Sequence, residues 1–138
     1  QNEITVPEIS GIVSDYASIP EVRVKLVELQ REMSKKFNVI MDGRDIGTVV
    51  LKEAPFKFFL TATPEERANR RFKELKERNI ECEYEVILKD IIERDYKDTH
   101  REVDPLRKAD DAIEVDTTGL NIIEVTEKIN SVISNNIK

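Results

Sequence analysis

An α/β layered domain with a largely parallel sheet is the fold class that this chain of 138 residues predicts. Three observations carry the expectation. Short apolar runs of strand length alternate with longer stretches of helical periodicity, three of those stretches open on a helix cap, and a hydrophobic content of 39% suffices for one core. The expected order is helix, strand, strand, helix, helix, strand, helix.

Ser18-Ile19-Pro20-Glu21 has the form of a capping box with proline just inside the helix, and Val22, Leu26, Leu29, Met33 and Phe37 follow at helical spacing. The spacing predicts a helix from Pro20 to about Lys36. Phe37 to Met41 then reads as a buried strand running into an Asp42 turn, and Phe56 to Leu60 as another after the Pro55 break. Thr63-Pro64-Glu65-Glu66 opens a basic helix whose inner face carries Ala68, Phe72 and Leu75, with Asn79 as its stop. Tyr84, Ile87, Leu88, Ile91 and Ile92 predict a helix over roughly Glu83 to Lys97. Ala112 to Asp116 reads as a strand ending in Thr117-Thr118-Gly119, and Asn121 to Glu124 caps a last helix bearing Val125, Ile129, Val132 and Ile133.

The formal net charge of -6 argues against broad nucleic-acid or anionic-membrane binding, although a local basic pocket remains open. One cysteine, Cys82, makes no internal disulfide, and with one histidine, His100, it makes no metal site. No signal-like segment or membrane-length apolar run occurs, so a cytoplasmic setting is the expectation. The chain begins Gln1-Asn2-Glu3-Ile4, which reads either as the interior of a longer polypeptide or as a trimmed terminus that removed nothing important.

Three polar clusters stand out. Asp42-Gly43-Arg44-Asp45-Ile46-Gly47-Thr48 places two acids and an arginine at a glycine-flanked turn, either a ligand site at a strand end or an ordinary surface turn with an ion pair. In Glu93-Arg94-Asp95-Tyr96-Lys97-Asp98-Thr99-His100-Arg101, the pairs Glu93 with Lys97 and Arg94 with Asp98 suit an exposed salt-bridged face. Equally, Arg94 and Arg101 flanking Asp98 suit a mobile clamp, in which guanidinium forks take phosphate and the carboxylate takes a sugar hydroxyl. Ser14 and Arg23 bracket the first cap.

Taken in this order, the clusters resemble those of the bacterial-type cytidylate kinases, from the end of the monophosphate-binding insert to the last helix. The marks are Ser14 with Ile19-Pro20-Glu21-Val22-Arg23, the Asp42 to Thr48 element, Phe59-Leu60-Thr61-Ala62 with Glu65-Glu66-Arg67-Ala68, then Glu93-Arg94-Asp95, Asp98, Arg101, Pro105-Leu106 and Asp116-Thr117-Thr118. The resemblance implies a P-loop nucleoside-monophosphate-kinase-like parallel sheet with flanking helices and a helical lid. Residues 1–138 would form a single partial domain, with 1–19 ending the insert, 20–62 and 106–138 in the core, and about 63–105 forming the lid and its flanking helices.

The implied activity is transfer of the terminal phosphoryl group of ATP to CMP or dCMP, with magnesium carried by the nucleotide. Ser14, Arg23 and Asp45 would line the cytidine side, Arg44 and Arg101 would meet the acceptor phosphate, and Arg94 and Asp98 would contact phosphate and ribose from the lid. Of these, Arg44, Arg94 and Arg101 would be catalytic, while Arg70 and Arg71 would face the donor nucleotide. Such chemistry needs positioning and cations around a highly charged transition state rather than a covalent nucleophile. An ionised Asp45 accepts hydrogen bonds only, which suits the exocyclic amine of cytosine and repels the carbonyl of uracil.

Three departures qualify the match. Thr5 and Lys97 stand where arginines are frequent, and lysine keeps charge but loses bidentate geometry. More consequentially, none of Gly11, Gly43, Gly47 and Gly119 is followed by the lysine of a phosphate-cradling Gly-x-x-x-x-Gly-Lys loop. In the resembling family that loop lies on an amino-terminal central strand, so the expectation is a chain inactive alone that needs its missing segment or a second copy to complete the sheet. A non-catalytic pyrimidine-nucleotide-binding module and a scaffold domain with solvated charges are the competing readings.

Overall fold

The computed structural model describes Tyr16 and residues 19–137. Because proline presets a helical φ and needs no hydrogen bond in the first turn, helix α1 (Pro20–Lys36) starts at Pro20, after an extended Ile19 that provides no side-chain cap. Its bounds match the expected ones. The predicted cap Ser18 lies outside the described residues, as does Ser14.

Phe37 to Met41 is not a strand, contrary to the expectation. Ile40 is fully exposed, and no strand among the described residues takes up the backbone of this segment. An apolar run becomes a strand only where a neighbour satisfies its N–H and C=O groups. The predicted inner stripe of α1 is likewise uncovered, from 37% exposure at Val22 to 66% at Phe37.

The sheet, among the described residues, consists of β1 (Phe58–Thr61) and β2 (Ile113–Asp116), paired in parallel from Phe58 opposite Ile113 to Thr61 opposite Asp116. Parallel neighbours require a long crossover, and it is supplied by helices α2 (Pro64–Glu77) and α3 (Tyr84–His100). The Thr63 side chain accepts from the Glu66 amide to cap α2. At the other end Asn79 takes φ 55°, its amide donates to Lys76 and that of Ile80 donates to Leu75, which is a Schellman closure. Ile80 is thereby turned back onto the core of Ala68, Leu75 and Ile87, around which Phe72, Cys82, Tyr84, Leu88 and Ile91 pack. Phe72 and Tyr84 meet edge to face, with centroids 6.3 Å apart. Helix α3 runs three residues beyond its expected end, to His100.

After β2, Gly119 (φ 74°) occupies the left-handed position of a turn closed by Leu120 N–H donating to Thr117. The predicted capping box then opens helix α4 (Ile122–Asn136), with Asn121 and Glu124 bonding reciprocally. Val125, Ile129, Val132 and Ile133 are half-buried, and no residue of α4 is fully buried. No helix among the described residues is long and apolar enough to cross a membrane.

Before β1, the buried Lys57 ammonium donates to Asp111 at 2.6 Å and to the Lys52 carbonyl. The bond from Lys57 holds the Asp111 carboxyl below the usual carboxylate range. A carboxyl depressed on folding stabilises above its unfolded titration range and loses that contribution as pH falls through the folded one. Asp111→Asn should therefore lower the urea midpoint at neutral pH and narrow its difference from wild type at about pH 3. An equal deficit at both pH values would show that the charge of Asp111 contributes nothing.

Candidate functional site

Between Asp45 and Leu51 the backbone widens into a single π turn, Ile46–Val50, in which the amides of Val50 and Leu51 reach back five residues to Asp45 and Ile46. Such turns are rare and concentrate at functional sites. Arg31, on α1, holds it by donating from Nε to the Val50 carbonyl at 3.1 Å and from Nη2 to that of Val49 at 2.6 Å. Gly43 lies against this turn: a Cβ there would meet Ile46 Cγ1 at 2.9 Å, whereas at Gly47 it would find ordinary contacts no closer than 3.5 Å. Gly43→Ala is thus expected to destabilise by about 1–2 kcal/mol through overpacking, and Gly47→Ala by less, as read from denaturant midpoints.

The turn aims Arg44 and Asp45 at residues distant in sequence. Arg23, buried on α1, donates through Nη2 to Asp45 and, at 3.3 Å, to Asp104. Arg44 donates through Nε to Asp98 on α3. Two further guanidinium groups reach the same carboxylate, Arg94 at 4.0 Å and Arg101 at 3.9 Å. Asp98 is only 5% exposed, and its carbonyl accepts from Leu106 N–H at 2.7 Å, folding the segment after α3 back over the helix end. Arg101 Nε closes the circuit on the Asp104 carbonyl at 2.6 Å.

Arg23, Arg44, Asp45, Arg94, Asp98 and Arg101, expected to act together, therefore form one connected network. It is electrostatically polarised: around Arg23 two carboxylates share one cation, whereas around Asp98 three cations share one carboxylate. Burial, and then the charge of Arg44, push Arg94 below the usual guanidinium value, against the pull of Asp98 and Asp95. Arg94 Nε and Arg101 Nη2 are buried N–H groups with no hydrogen-bond acceptor among the described residues. Such groups lose hydration without recompense, so this end of the network is suited to an oxyanion.

Arg70 and Arg71 bond elsewhere. Arg70 donates to Glu66 at 2.9 Å, to Thr117 Oγ1 at 3.1 Å and to the Thr117 carbonyl, which ties α2 to the turn beyond the carboxyl ends of both strands. Arg71 pairs with Glu74 at 2.8 Å. Glu93 faces Lys89 at 3.8 Å rather than the expected Lys97. Arg67, expected as one of the charges that make this helix basic and as part of a motif, forms a bidentate bridge to Asp95 at 2.9 and 2.5 Å that raises its pKa and clamps α2 to α3.

Asp104 and Arg31 escaped the sequence reading. Asp104 was visible only as a turn residue before Pro105, and Arg31 as one more charge on the polar face of α1. Among the described residues no cluster of three His, Cys, Asp or Glu side chains could hold a metal ion.

Comparison with known proteins covers the whole stretch that carries these clusters. The family model described as cytidylate kinase matches residues 1–135. The chain is 69% identical over 128 residues to the cytidylate kinase of Clostridium perfringens strain SM101, covering 93% of this chain and 59% of that protein. It is 58% identical over 135 residues to that of Clostridium tetani, covering 98% of this chain and 60% of the relative. For the Clostridium acetobutylicum cytidylate kinase the identity is 59% over 135 residues, with 98% and 62% covered. The chain thus spans about three fifths of the length of these relatives. With its whole run of charged clusters inside the matched residues, the chain belongs to the cytidylate kinase family.

Proposed function

We propose that the polypeptide carrying this sequence transfers the γ-phosphoryl group of ATP to CMP or dCMP, giving ADP with CDP or dCDP, and that this chain supplies the acceptor pocket and lid. The observation that carries the reading is the polarised network. A cytidine monophosphate offers a hydrogen-bond-donating amine at one end and a dianionic phosphate at the other, matching a carboxylate-rich end and a guanidinium-rich end.

On this reading Asp45 accepts from the cytosine amine, with Arg23 orienting it and Ser14 beside the nucleoside. Arg44 and Arg101 bind the acceptor phosphate. Arg94 and Asp98, carried on the α2–α3 lid, contact phosphate and ribose and exclude water as the lid closes. Arg44, Arg94 and Arg101 then stabilise the charge that builds on the transferring group, which is the principal catalytic contribution available in phosphoryl transfer. Magnesium enters as part of the ATP substrate, screening its phosphates. The place of Arg70 beyond the carboxyl ends of β1 and β2, where ligands of open α/β sheets collect, supports a donor-side role; for Arg71 that role rests on family membership alone.

The donor phosphates need a Gly-x-x-x-x-Gly-Lys loop, which these 138 residues do not contain. A segment bearing that loop, or a second copy, would also extend the two-stranded sheet of the described residues and give Phe37 to Met41 a neighbour. A cytoplasmic location suits the substrates. The test is CDP formation from ATP and CMP by the natural polypeptide, beside the isolated chain. Turnover by the former and none by the latter is expected. No CDP from the natural polypeptide would overturn the kinase reading, and if it still binds CMP, the alternative of a non-catalytic pyrimidine-nucleotide-binding module takes its place.

A further inference from the structure

We propose that Asp104 is a positioning residue that mechanically joins the two ends of the acceptor site. The inference rests on the acceptor-nucleotide reading above. Asp104 acts through two different groups. Its carboxylate lies 3.3 Å from Arg23 Nη2, the same nitrogen that donates to Asp45, while its backbone carbonyl accepts from Arg101 Nε at 2.6 Å.

A guanidinium nitrogen carries two hydrogens, and here they are directed to carboxylates on different elements, one preceding the π turn and one following α3. Arg23 is thereby held from two sides. Asp45, bound to that nitrogen, is presented in one orientation, and this orientation depends on where the end of α3 lies. Through its carbonyl the same residue sets Arg101, so displacement of the phosphate end is transmitted to the base end.

The backbone of Asp104 is built for this position. Its φ of 49° is left-handed, a conformation that aspartate and asparagine adopt more readily than other side chains, and it precedes Pro105, which normally forces an extended residue. The bonds from Arg101 to Asp104 and from Leu106 to Asp98 hold it there. An Asp-Pro turn serving only to end a helix needs no carboxylate aimed at a buried arginine on α1.

The two roles separate by substitution. Asp104→Asn and Asp104→Gly both accept a positive φ, and both remove the carboxylate charge while leaving the carbonyl to Arg101. Calorimetric titration of CMP and of UMP into the natural polypeptide supplies the readout. We expect both variants to bind CMP about three- to tenfold more weakly, with the preference for CMP over UMP falling by a similar factor and the urea midpoint little changed. A purely structural role would not move that preference. If the variants keep the wild-type preference while wild type discriminates, the inference fails and the acceptor reading stands. If wild type itself binds CMP no better than UMP, the acceptor reading fails and takes this inference with it.

Discussion

Arg44→Ala in the natural polypeptide is expected to lower kcat/KM for CMP by about 10²- to 10³-fold, the loss typical of removing one preorganised donor from a developing oxyanion. Arg44 is singled out among the three arginines because a rigid device sets its direction. The π turn, Gly43 and the two bonds from Arg31 hold its backbone independently of α3. Arg94 and Arg101 belong to the end of α3, which would move with the lid. Arg44→Lys should recover only part of the loss, since lysine keeps the charge without the planar fork. Initial rates at varied CMP and saturating ATP give the answer. A loss confined to KM, with kcat intact, would mean that Arg44 holds the ground-state phosphate and contributes nothing more in the transition state.

Removing the shared carboxylate should act on folding. Asp98→Ala strands three guanidinium groups around a buried vacancy, and breaking a buried pair commonly costs 3–5 kcal/mol, roughly halved here because Arg44 and Arg94 remain partly in water. A deficit of about 2 kcal/mol in urea melts is the expected size. The deficit should be recovered in part by sulfate at concentrations that leave wild type unaffected, because an anion can enter where the carboxylate was. Unchanged stability, or equal sulfate responses, would show that the three arginines do not depend on Asp98 for charge compensation.

Helices were the most legible part of the sequence. Their caps and periodicity are local, so α1 has its expected limits, Asn79 and Asn121 serve as stop and cap, and Ala68 and Leu75 are buried on the expected face. Phe37 to Met41 shows where such reasoning ends: alternation and apolarity describe what a strand could be, while a neighbour's backbone decides whether it is one. The exposed stripe of α1 makes the same point about burial.

The charged clusters of the site were equally visible, but not their wiring. Nothing in the spacing of Arg44 and Asp98 says that they touch across 54 positions, or that Asp98 gathers three arginines. Part of the wiring ends on backbone carbonyls, that of Asp104 for Arg101 and those of Val49 and Val50 for Arg31, and where a carbonyl points is not written in the chemical letters that a sequence displays.

The π turn has a consequence for how this segment can vary over time. Its wide ring leaves room for a side chain at Gly47, where a Cβ would meet only ordinary contacts, but it counts residues. Losing one position between Ile46 and Val50 would wind the turn to ordinary helical pitch and rotate the flanking backbone by about 100°. Arg44 would then swing away from Asp98, and the carbonyls of Val49 and Val50 away from Arg31. At Gly47 drift in spelling is permitted where drift in the length of the segment is not.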